Sequence, residues 1–274
     1  MTDIHQDREN QETEKILSWV ADDGDKRWHD DTNIDYYSKR HPGTGNWFET
    51  HPKFLAWIDG QARTLFCRGP PGAGKSVISS IAVNHLQSKE NSQEIKCAYL
   101  YCNYGRRDNI KQTAMLLLSV LLRQLWEITG LPDQIKERSR NTSLSALSLR
   151  EVSQALQDIV HCNDRIFVII DALDECSPET RETLLNTIIE LQDRTTVRFM
   201  ATSRGGLRSI EKRFEMCSTI EIKAMENDVR AFIRDGLKYI GYLDKQPLLL
   251  DSISERVAKA AGPLQVTNYY AFIA

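Results

Sequence analysis

The sequence predicts an α/β protein in which helices pack on both faces of a parallel β-sheet, giving three layers. Short apolar runs that are typical of buried strands alternate with longer segments whose apolar residues recur at helical spacing. The first of these runs, Leu65–Cys67, continues through a glycine-rich turn directly into a helix. The chain has 274 residues, which is enough for one large α/β domain or two smaller ones.

The glycine-rich turn matches the phosphate-binding pattern G-x-x-x-x-G-K-[ST] in full and reads GPPGAGKS over residues 69–76. Gly72 and Gly74 lack a Cβ atom, so the backbone can approach an anion closely. Lys75 would reach the β- and γ-phosphates, and the Ser76 hydroxyl would bind Mg²⁺. The predicted phosphate-binding residues are Gly69, Gly72, Ala73, Gly74, Lys75 and Ser76. The alternative is an ordinary glycine-rich turn, but the apolar strand and helix that flank it favour the binding loop.

An acidic cluster follows the most apolar of the predicted strands. Five apolar residues, Ile166–Ile170, lie between charged residues and indicate a strand buried on both faces. A carboxylate at the end of such a strand is costly without a cation nearby, so Asp171 is predicted to associate with Mg²⁺, directly or through a water. Asp174 or Glu175 would orient or deprotonate an attacking water. Alternatively, Asp171 only ends the strand and the next two acids cap a helix that starts near Pro178.

Arginines follow two other predicted strands. The fourth predicted strand, which starts at Val197, leads into Thr202, Ser203 and Arg204, and parallel strands that end together would place these side chains on the rim of the phosphate loop. The Arg204 guanidinium could sense the γ-phosphate there, or it could lie exposed near the next helix. Arg106 and Arg107 follow the second predicted strand, Ile95–Cys102, where they form either a γ-phosphate contact or a solvated turn.

Aromatic residues are concentrated just before the first strand. Trp47, Phe48, Phe54 and Trp57 follow a glycine-containing segment at 43–45. These rings could pack on a nucleotide base, with the glycines bringing the backbone close to it. They could also form a hydrophobic cluster that seals the edge of the sheet, and this second interpretation is the simpler one.

Composition argues against several classes of function. The formal net charge is −3, whereas nucleic-acid binding needs a concentrated basic surface, so no nucleic-acid partner is expected. The longest apolar run, Thr113–Leu122, is too short to cross a bilayer, so no membrane partner is expected.

Residues 1–15 are polar and predicted to be disordered, with a short amphipathic helix starting at Ile16. Six cysteines without a C-x-x-C pair predict reduced thiols in a cytoplasmic protein.

Three segments in this order, GPPGAGKS, VIIDALDEC and RFMATSR, resemble the NACHT branch of the STAND signal-transduction NTPases. HPGTGNWF, LLRQL and IEIKAMENDVRAFI are similar to the nephrocystin 3-like N-terminal NTPase domain common in fungal NOD-like receptors, over about residues 35–262. The resemblance implies a P-loop NTPase sheet of five parallel strands in the order 5-1-4-3-2. It also implies ATP or GTP with Mg²⁺, slow hydrolysis and nucleotide-driven oligomerisation. The implied site consists of the Walker A motif at 69–76, the Walker B motif at Asp171, Asp174 and Glu175, and sensor 1 at Arg204.

The resemblance also suggests a division of the chain. We expect a polar, partly disordered segment with a short helix at 1–34, a P-loop NTPase core at 35–224 and a helical extension at 225–274. Similar chains continue after the glycine that corresponds to Gly262 with an apolar helix, a winged-helix region and repeats. Here Pro263 follows, and the sequence stops at Ala274, so the extension is expected to be truncated.

The function expected from the resemblance is a nucleotide-controlled signalling switch. It would hydrolyse ATP or GTP slowly and associate with copies of itself or with other signalling proteins, as in fungal innate-immunity-like or heterokaryon-incompatibility signalling. The alternative is a nucleotide-bound scaffold that does not hydrolyse its ligand. A small-molecule kinase or a translocating ATPase has less support, since the sequence lacks an N-K-x-D motif and an L-S-G-G-Q motif.

Overall fold

The computed structural model describes residues 2–88, 95–103, 112–133, 135–137, 147–223, 225–238 and 246–261. In these ranges a single sheet contains five parallel strands. The strands are β1 (Thr64–Gly69), β2 (Lys96–Tyr101), β3 (Ile166–Asp171), β4 (Arg198–Arg204) and β5 (Ser218–Glu221). Their order across the sheet is β5-β1-β4-β3-β2. The predicted α/β class is therefore confirmed, and the order is the one that the resemblance implies.

Helices connect the strands and extend the chain at both ends. They are α1 (Thr2–Val20), α2 (Asp23–Ser38), α3 (Asn46–Glu49), α4 (Pro52–Ile58), α5 (Lys75–Ser88), α6 (Ala114–Thr129), α7 (Leu149–Cys162), α8 (Pro178–Arg194), α9 (Arg208–Arg213), α10 (Glu226–Lys238) and α11 (Pro247–Ala261). Within the described part of the chain, no helix combines the length and the apolar character that crossing a bilayer requires.

The hydrophobic core lies on both faces of the sheet because successive strand residues point to opposite sides. In β3, Phe167 and Ile169 pack with α3, α4 and α5, whereas Val168 and Ile170 pack with α1 and α6 to α9. Every residue of β3 is buried, as its unbroken apolar run predicts. The helices thus form the outer layers of a three-layer sandwich.

Side chains from two helices complete the hydrogen bonds of the edge strand β2. The Gln124 side chain of α6 accepts from the Tyr99 N–H (2.8 Å) and donates to the Tyr99 carbonyl (3.0 Å). His29 of α2 accepts from the Tyr101 N–H through Nδ1 (3.0 Å), and the Tyr101 hydroxyl donates to Asn33 (2.7 Å). A covered edge cannot pair with another chain. The same contacts fix α2 along β2, so that the end of α2 lies near the phosphate loop.

The N-terminal segment differs from the sequence prediction. Disorder was expected for residues 1–15, but α1 is helical from Thr2. Its C-terminal end is anchored in the core by Ile16 and Leu17, and the buried guanidinium of Arg123 donates to the Ala21 carbonyl (2.8 Å). A helix that is nucleated at a packed end grows at little further entropic cost through residues such as Gln and Glu. Composition alone does not reveal such an anchor.

Each of the two interpretations of the aromatic cluster before β1 fits part of the cluster. Phe48, Phe54 and Trp57 have no exposed surface and belong to the core beside α5 and β3. The Trp57 ring lies edge-on to Phe167, with ring centroids 5.0 Å apart. Trp47 is the exception, because it lines an open cavity that is described below. Most of the cluster therefore seals the sheet, and one ring remains available to a ligand.

We predict that Trp57→Ala destabilises the fold by about 3–5 kcal/mol, since it removes a fully buried indole next to β3. Leu55→Ala on the same helix is the matched control: Leu55 is 42% exposed, and its truncation should change stability by less than about 0.5 kcal/mol. Urea unfolding of both variants measures the difference. Equal stabilities would show that the cluster is not part of the core.

Candidate functional site

The phosphate loop connects the end of β1 to the start of α5. Gly72 and Gly74 have φ angles of 74° and 87°, a region that disfavours other residues, so the pattern places glycine where the backbone needs it. The first N–H groups of α5, which begins at Lys75, have no acceptor within the helix and lie at its positive end. The loop therefore has the shape and polarity of an anion-binding site.

The ammonium group of Lys75 lies over the loop. Its Nζ donates to the carbonyls of Gly69 (3.0 Å) and Pro70 (2.8 Å). Burial lowers the pKa of Lys75, while the negative charges of Asp174 and Asp171 oppose this shift. An anion bound in the loop would strengthen the protonated form further, because it adds an opposite charge nearby.

Asp171 accepts three hydrogen bonds at the end of β3. The hydroxyls of Ser76 (2.7 Å), Ser79 (2.7 Å) and Thr202 (2.6 Å) donate to its two carboxylate oxygens. Burial raises the pKa of Asp171, since only 2% of the residue is exposed, and the three hydroxyls act in the opposite direction. A nearby cation would offset the cost of burying this charge.

The oxygen atoms at this point suit Mg²⁺. A hydroxyl and a carboxylate, from Ser76 and Asp171, are hard ligands of the kind that Mg²⁺ prefers. Among the described residues, no group of three or more His, Cys, Asp or Glu side chains could hold a metal by itself. Ser76 and Asp171 would supply two oxygen ligands, and Mg²⁺ commonly takes its remaining ligands from phosphate oxygens and water.

The turn after β3 presents two more acids. Ala172 has a left-handed conformation (φ 55°), and its N–H donates to the Thr202 hydroxyl (2.9 Å). A short 3₁₀ helix, Leu173–Glu175, follows. The next helix, α8, is capped by Ser177, whose side chain accepts from the Thr180 N–H. Asp174 and Glu175 do not cap α8, so the structure argues against that alternative.

Arg204 connects this turn to the end of β4. Its Nε lies 3.0 Å from Asp174 Oδ2, its backbone N–H donates to Asp174 Oδ1 (3.0 Å), and one terminal nitrogen lies 3.3 Å from Glu175 Oε1. The Asp174 side chain is 5% exposed, whereas that of Arg204 is 52% exposed. Arg204 also pairs with Gly69 across the β1–β4 ladder, so it lies beside the start of the phosphate loop. Ser203 is buried, and its hydroxyl donates to the Arg204 carbonyl (3.0 Å).

These groups surround an open cavity of 570 Å³, a volume within the usual range of small-molecule sites. Its polar end is lined by Gly72, Ala73, Gly74, Lys75, Ser76, Asp174, Glu175, Thr202 and Arg204. Five apolar residues of the lining, which we call its apolar end, are Trp47, Ile222, Met225, Val229 and Phe232, and the charged or ionisable residues Lys39, Arg40, His41, Lys223 and Asp228 also line the cavity. Asp171 lies behind Ser76, and Gly69 lies at the base of the loop. Arg106 and Arg107 lie outside the described residues.

The apolar end depends on α10, which sequence reasoning did not assign to the site. The Gly45 N–H donates to Asp228 (3.0 Å), and His41 Nε2 lies 2.9 Å from Asp235 Oδ2. The His41 ring also contacts Phe232 edge-on. These contacts join the segment before β1 to the helix after β5. No pattern in the sequence identifies this pairing, because 183 residues separate Gly45 from Asp228 and 194 residues separate His41 from Asp235.

Two further residues near the phosphate loop were not predicted from the sequence to belong to the site. Tyr36 of α2 lines the cavity. Burial and the negative charge of Asp171 both raise the pKa of its phenol, whereas a hydrogen bond with the Ser76 hydroxyl lowers this pKa. Ser79 lies three residues after Ser76 on α5 and therefore on the same helical face. Helical spacing could have suggested Ser79, whereas only the fold brings Tyr36 to the site.

Comparison with known proteins provides one family match. The family described as Nephrocystin 3, N-terminal, matches residues 43–204, which is more than half of the chain. No curated protein matches the sequence.

Several solved structures are similar to this chain, but their sequence identity to it is low. The Aeropyrum pernix ORC2 protein in ADPNP–ADP complexes has 14% sequence identity and a TM-score of 0.45, over 73% of this chain and 52% of that chain. Domain III of the Thermotoga maritima replication initiation protein DnaA has 17% identity and a TM-score of 0.44, over 82% of each chain. The chain spans about half the length of the ORC2 protein.

We predict that Asp171→Asn leaves the unliganded protein at least as stable as the wild type at pH 7. Because its pKa is raised, folded Asp171 binds more protons than the unfolded chain does in a pH range above 3.8. The free energy of unfolding therefore falls as the pH rises through that range. Asparagine removes this cost and still accepts hydrogen bonds. Unfolding in EDTA from pH 4 to pH 8 should therefore show an advantage of the variant that grows with pH.

Asp133→Asn is the control for this prediction, since the Asp133 side chain is 95% exposed and its change should leave stability within about 0.5 kcal/mol of the wild type. A pH-independent loss of stability in Asp171→Asn would contradict the assignment of an electrostatic cost to Asp171.

Proposed function

Because the chain belongs to the family of the nephrocystin 3 N-terminal domain, we propose that it is a Mg²⁺-dependent nucleotide-binding signalling NTPase of the NACHT type. The main support is the convergence of the phosphate loop, the buried carboxylate of Asp171 and the acid–arginine cluster around one cavity. The proposed ligand is ATP or GTP, and the proposed reaction is slow hydrolysis of its terminal phosphate.

The two ends of the cavity match the two ends of a nucleotide. In this proposal the loop N–H groups and Lys75 bind the phosphates, and Lys75 exchanges its contacts with the Gly69 and Pro70 carbonyls for phosphate oxygens. The base lies between Trp47 and the apolar residues of α10, where Phe232 offers a second ring. Mg²⁺, when bound through Ser76 and Asp171, would neutralise charge on the phosphates.

The geometry suggests different roles for the two acids of the turn. Asp174 is almost buried and accepts from both the backbone and the side chain of Arg204, so it positions that arginine. Glu175 is more exposed, lines the cavity and makes the longer contact to Arg204, so it is the proposed base for the attacking water. The Arg204–Glu175 pair is partly exposed and costs at most about 1 kcal/mol to open. Arg204 could then turn toward a γ-phosphate.

The same contacts support a switch. A nucleotide in this cavity would touch both the NTPase core and α10, and it would favour the position of α10 in which these contacts form. We propose that this coupling controls association with other copies of the chain or with signalling proteins, with 35–224 as the core and 225–274 as the responding extension. No nucleic-acid partner is part of this proposal. The six cysteines are all free thiols, which supports a cytoplasmic location.

A scaffold that binds nucleotide without hydrolysis is the second candidate. One observation favours it: Arg204 contacts both Asp174 and Glu175, which leaves the proposed base engaged in an ion pair. If this pair persisted with nucleotide bound, no carboxylate would be available to activate water.

Nucleotide binding is tested by thermal unfolding with Mg²⁺·ATP and Mg²⁺·GTP. At a ligand concentration a hundred times the dissociation constant, the stabilisation should be about 2.7 kcal/mol. Lys75→Ala should lose most of it, because the loss of a buried charge partner costs about 2–5 kcal/mol. Lys136→Ala, a change at a half-buried residue outside the cavity, is the control and should retain the full shift. An unchanged melting temperature with both nucleotides would reject the proposal.

Hydrolysis is tested by phosphate release from Glu175→Gln. Loss of a general base should slow release by about 10²- to 10⁴-fold, while stabilisation by nucleotide is retained. Glu179→Gln, an exposed acid at the start of α8, is the control and should keep the wild-type rate. If ATP drives self-association, light scattering should show a longer-lived assembly for Glu175→Gln. Equal rates above the buffer background in wild type and Glu175→Gln would reject Glu175 as the base, whereas no release above background from either protein would favour the scaffold.

A further inference from the structure

Two buried cysteines meet beside the proposed catalytic turn. Cys102 comes directly after β2, and Cys176 comes directly after the 3₁₀ helix that presents Asp174 and Glu175. Their Sγ atoms are 3.0 Å apart, closer than the ordinary van der Waals separation of two sulfur atoms. Each residue is 5% exposed.

The backbone of each cysteine is held in place. The Cys102 N–H donates to the Asp171 carbonyl (3.0 Å), which continues the β2–β3 ladder by one residue, and the Cys176 N–H donates to the Leu173 carbonyl (3.3 Å). The two thiols are therefore brought together by the sheet edge on one side and by the catalytic turn on the other. This is a fixed juxtaposition of two thiol groups, which a sequence separation of 74 residues does not reveal.

The other four cysteines have different surroundings. Cys67 and Cys97 are buried within strands, Cys162 is exposed at the end of α7, and Cys217 is half-buried before β5. The phosphate-binding side chains include no thiol. Neither the proposed binding of nucleotide nor the proposed hydrolysis uses Cys102 or Cys176, so the pair is available for chemistry of its own.

We propose that Cys102 and Cys176 form a reversible disulfide when a peroxide oxidises them, and that this bond is a redox modification of the catalytic turn. One sulfur attacks a peroxide oxygen, the O–O bond breaks, and a sulfenic acid and one water form. The second sulfur then attacks the sulfenic sulfur, the S–S bond forms, the S–O bond breaks and a second water leaves. Overall, the two thiols lose two protons and two electrons, and hydrogen peroxide accepts them and becomes two waters.

The bond would move the turn that carries Glu175. An S–S bond is about 2.05 Å long, so oxidation draws the two sulfur atoms together by about 1 Å. Cys176 directly follows Glu175, so the part of this movement that reaches the backbone displaces a catalytic group, and a displacement of up to about 1 Å there can slow a reaction by as much as about 10²-fold. The phosphate loop belongs to β1 and α5 and does not take part in this displacement, so nucleotide binding is retained. This effect on turnover rests on the proposed function, whereas formation of the bond does not.

The test uses the full chain with Cys162→Ser and Cys217→Ser, which removes the more accessible thiols. The protein is treated with hydrogen peroxide, and the remaining free thiols are alkylated before proteolysis and mass spectrometry. We expect a loss of two hydrogens and a linked pair of peptides that contain Cys102 and Cys176, both reversed by dithiothreitol. Cys102→Ser and Cys176→Ser in the same background are the controls. Their melting temperatures under reducing conditions confirm that they fold.

Phosphate release and nucleotide-dependent melting are then measured on the oxidised and reduced forms. A decrease in release of about 10- to 100-fold that dithiothreitol reverses, with melting shifts unchanged, supports the proposal, and the serine variants should show no decrease. The proposal is overturned if no linked peptide forms under conditions that oxidise Cys162 in the parent chain, or if the bond forms and release is unchanged. If the reduced protein neither binds nucleotide nor releases phosphate, the proposed function fails, and peptide mapping still decides whether the disulfide forms.

Discussion

At the carboxyl edge of the sheet, the Asp171 carboxylate is almost fully buried and accepts hydrogen bonds from Ser76, Ser79 and Thr202. Two of these hydroxyls belong to the helix that follows the phosphate loop, and the third belongs to β4. One charged group therefore sets the spacing between α5 and two strands of the sheet. Burial raises the pKa of Asp171, and the site holds this unfavourable charge where a bound cation would offset it. Such a local cost is typical of functional positions in a well-packed core.

The rest of the site depends on elements that the core holds in place. The sheet edge β2 is covered by α2 through His29 and Asn33, and this contact brings Tyr36 to the cavity. On the opposite side, His41 and Gly45 connect the segment before β1 to α10. The cavity thus has one rigid polar end, made by the phosphate loop, and one apolar end that depends on contacts between distant parts of the chain.

The sequence predicted the polar end well because its residues follow local rules. Gly72 and Gly74 have the positive φ angles that the pattern requires, and Asp171 ends a strand that is buried along its whole length. The prediction was wrong for residues 1–15, which are helical from Thr2, because a buried contact at the end of a helix can order a polar segment. It also left open whether Asp174 and Glu175 cap α8, and the cap is Ser177.

By itself, the sequence determined the α/β class, the phosphate loop and the acidic turn, since apolar periodicity and short motifs reflect interactions between residues that are near in the chain. Only the tertiary structure decided which side chains meet across long separations. It placed Arg204 on Asp174 and Glu175, Cys102 against Cys176, and α10 on the segment before β1. These contacts depend on the order of the strands and on where each connection crosses the sheet. The family resemblance implied the strand order, but no local pattern encodes where each connection crosses the sheet, so the apolar end of the cavity became visible only in the folded chain.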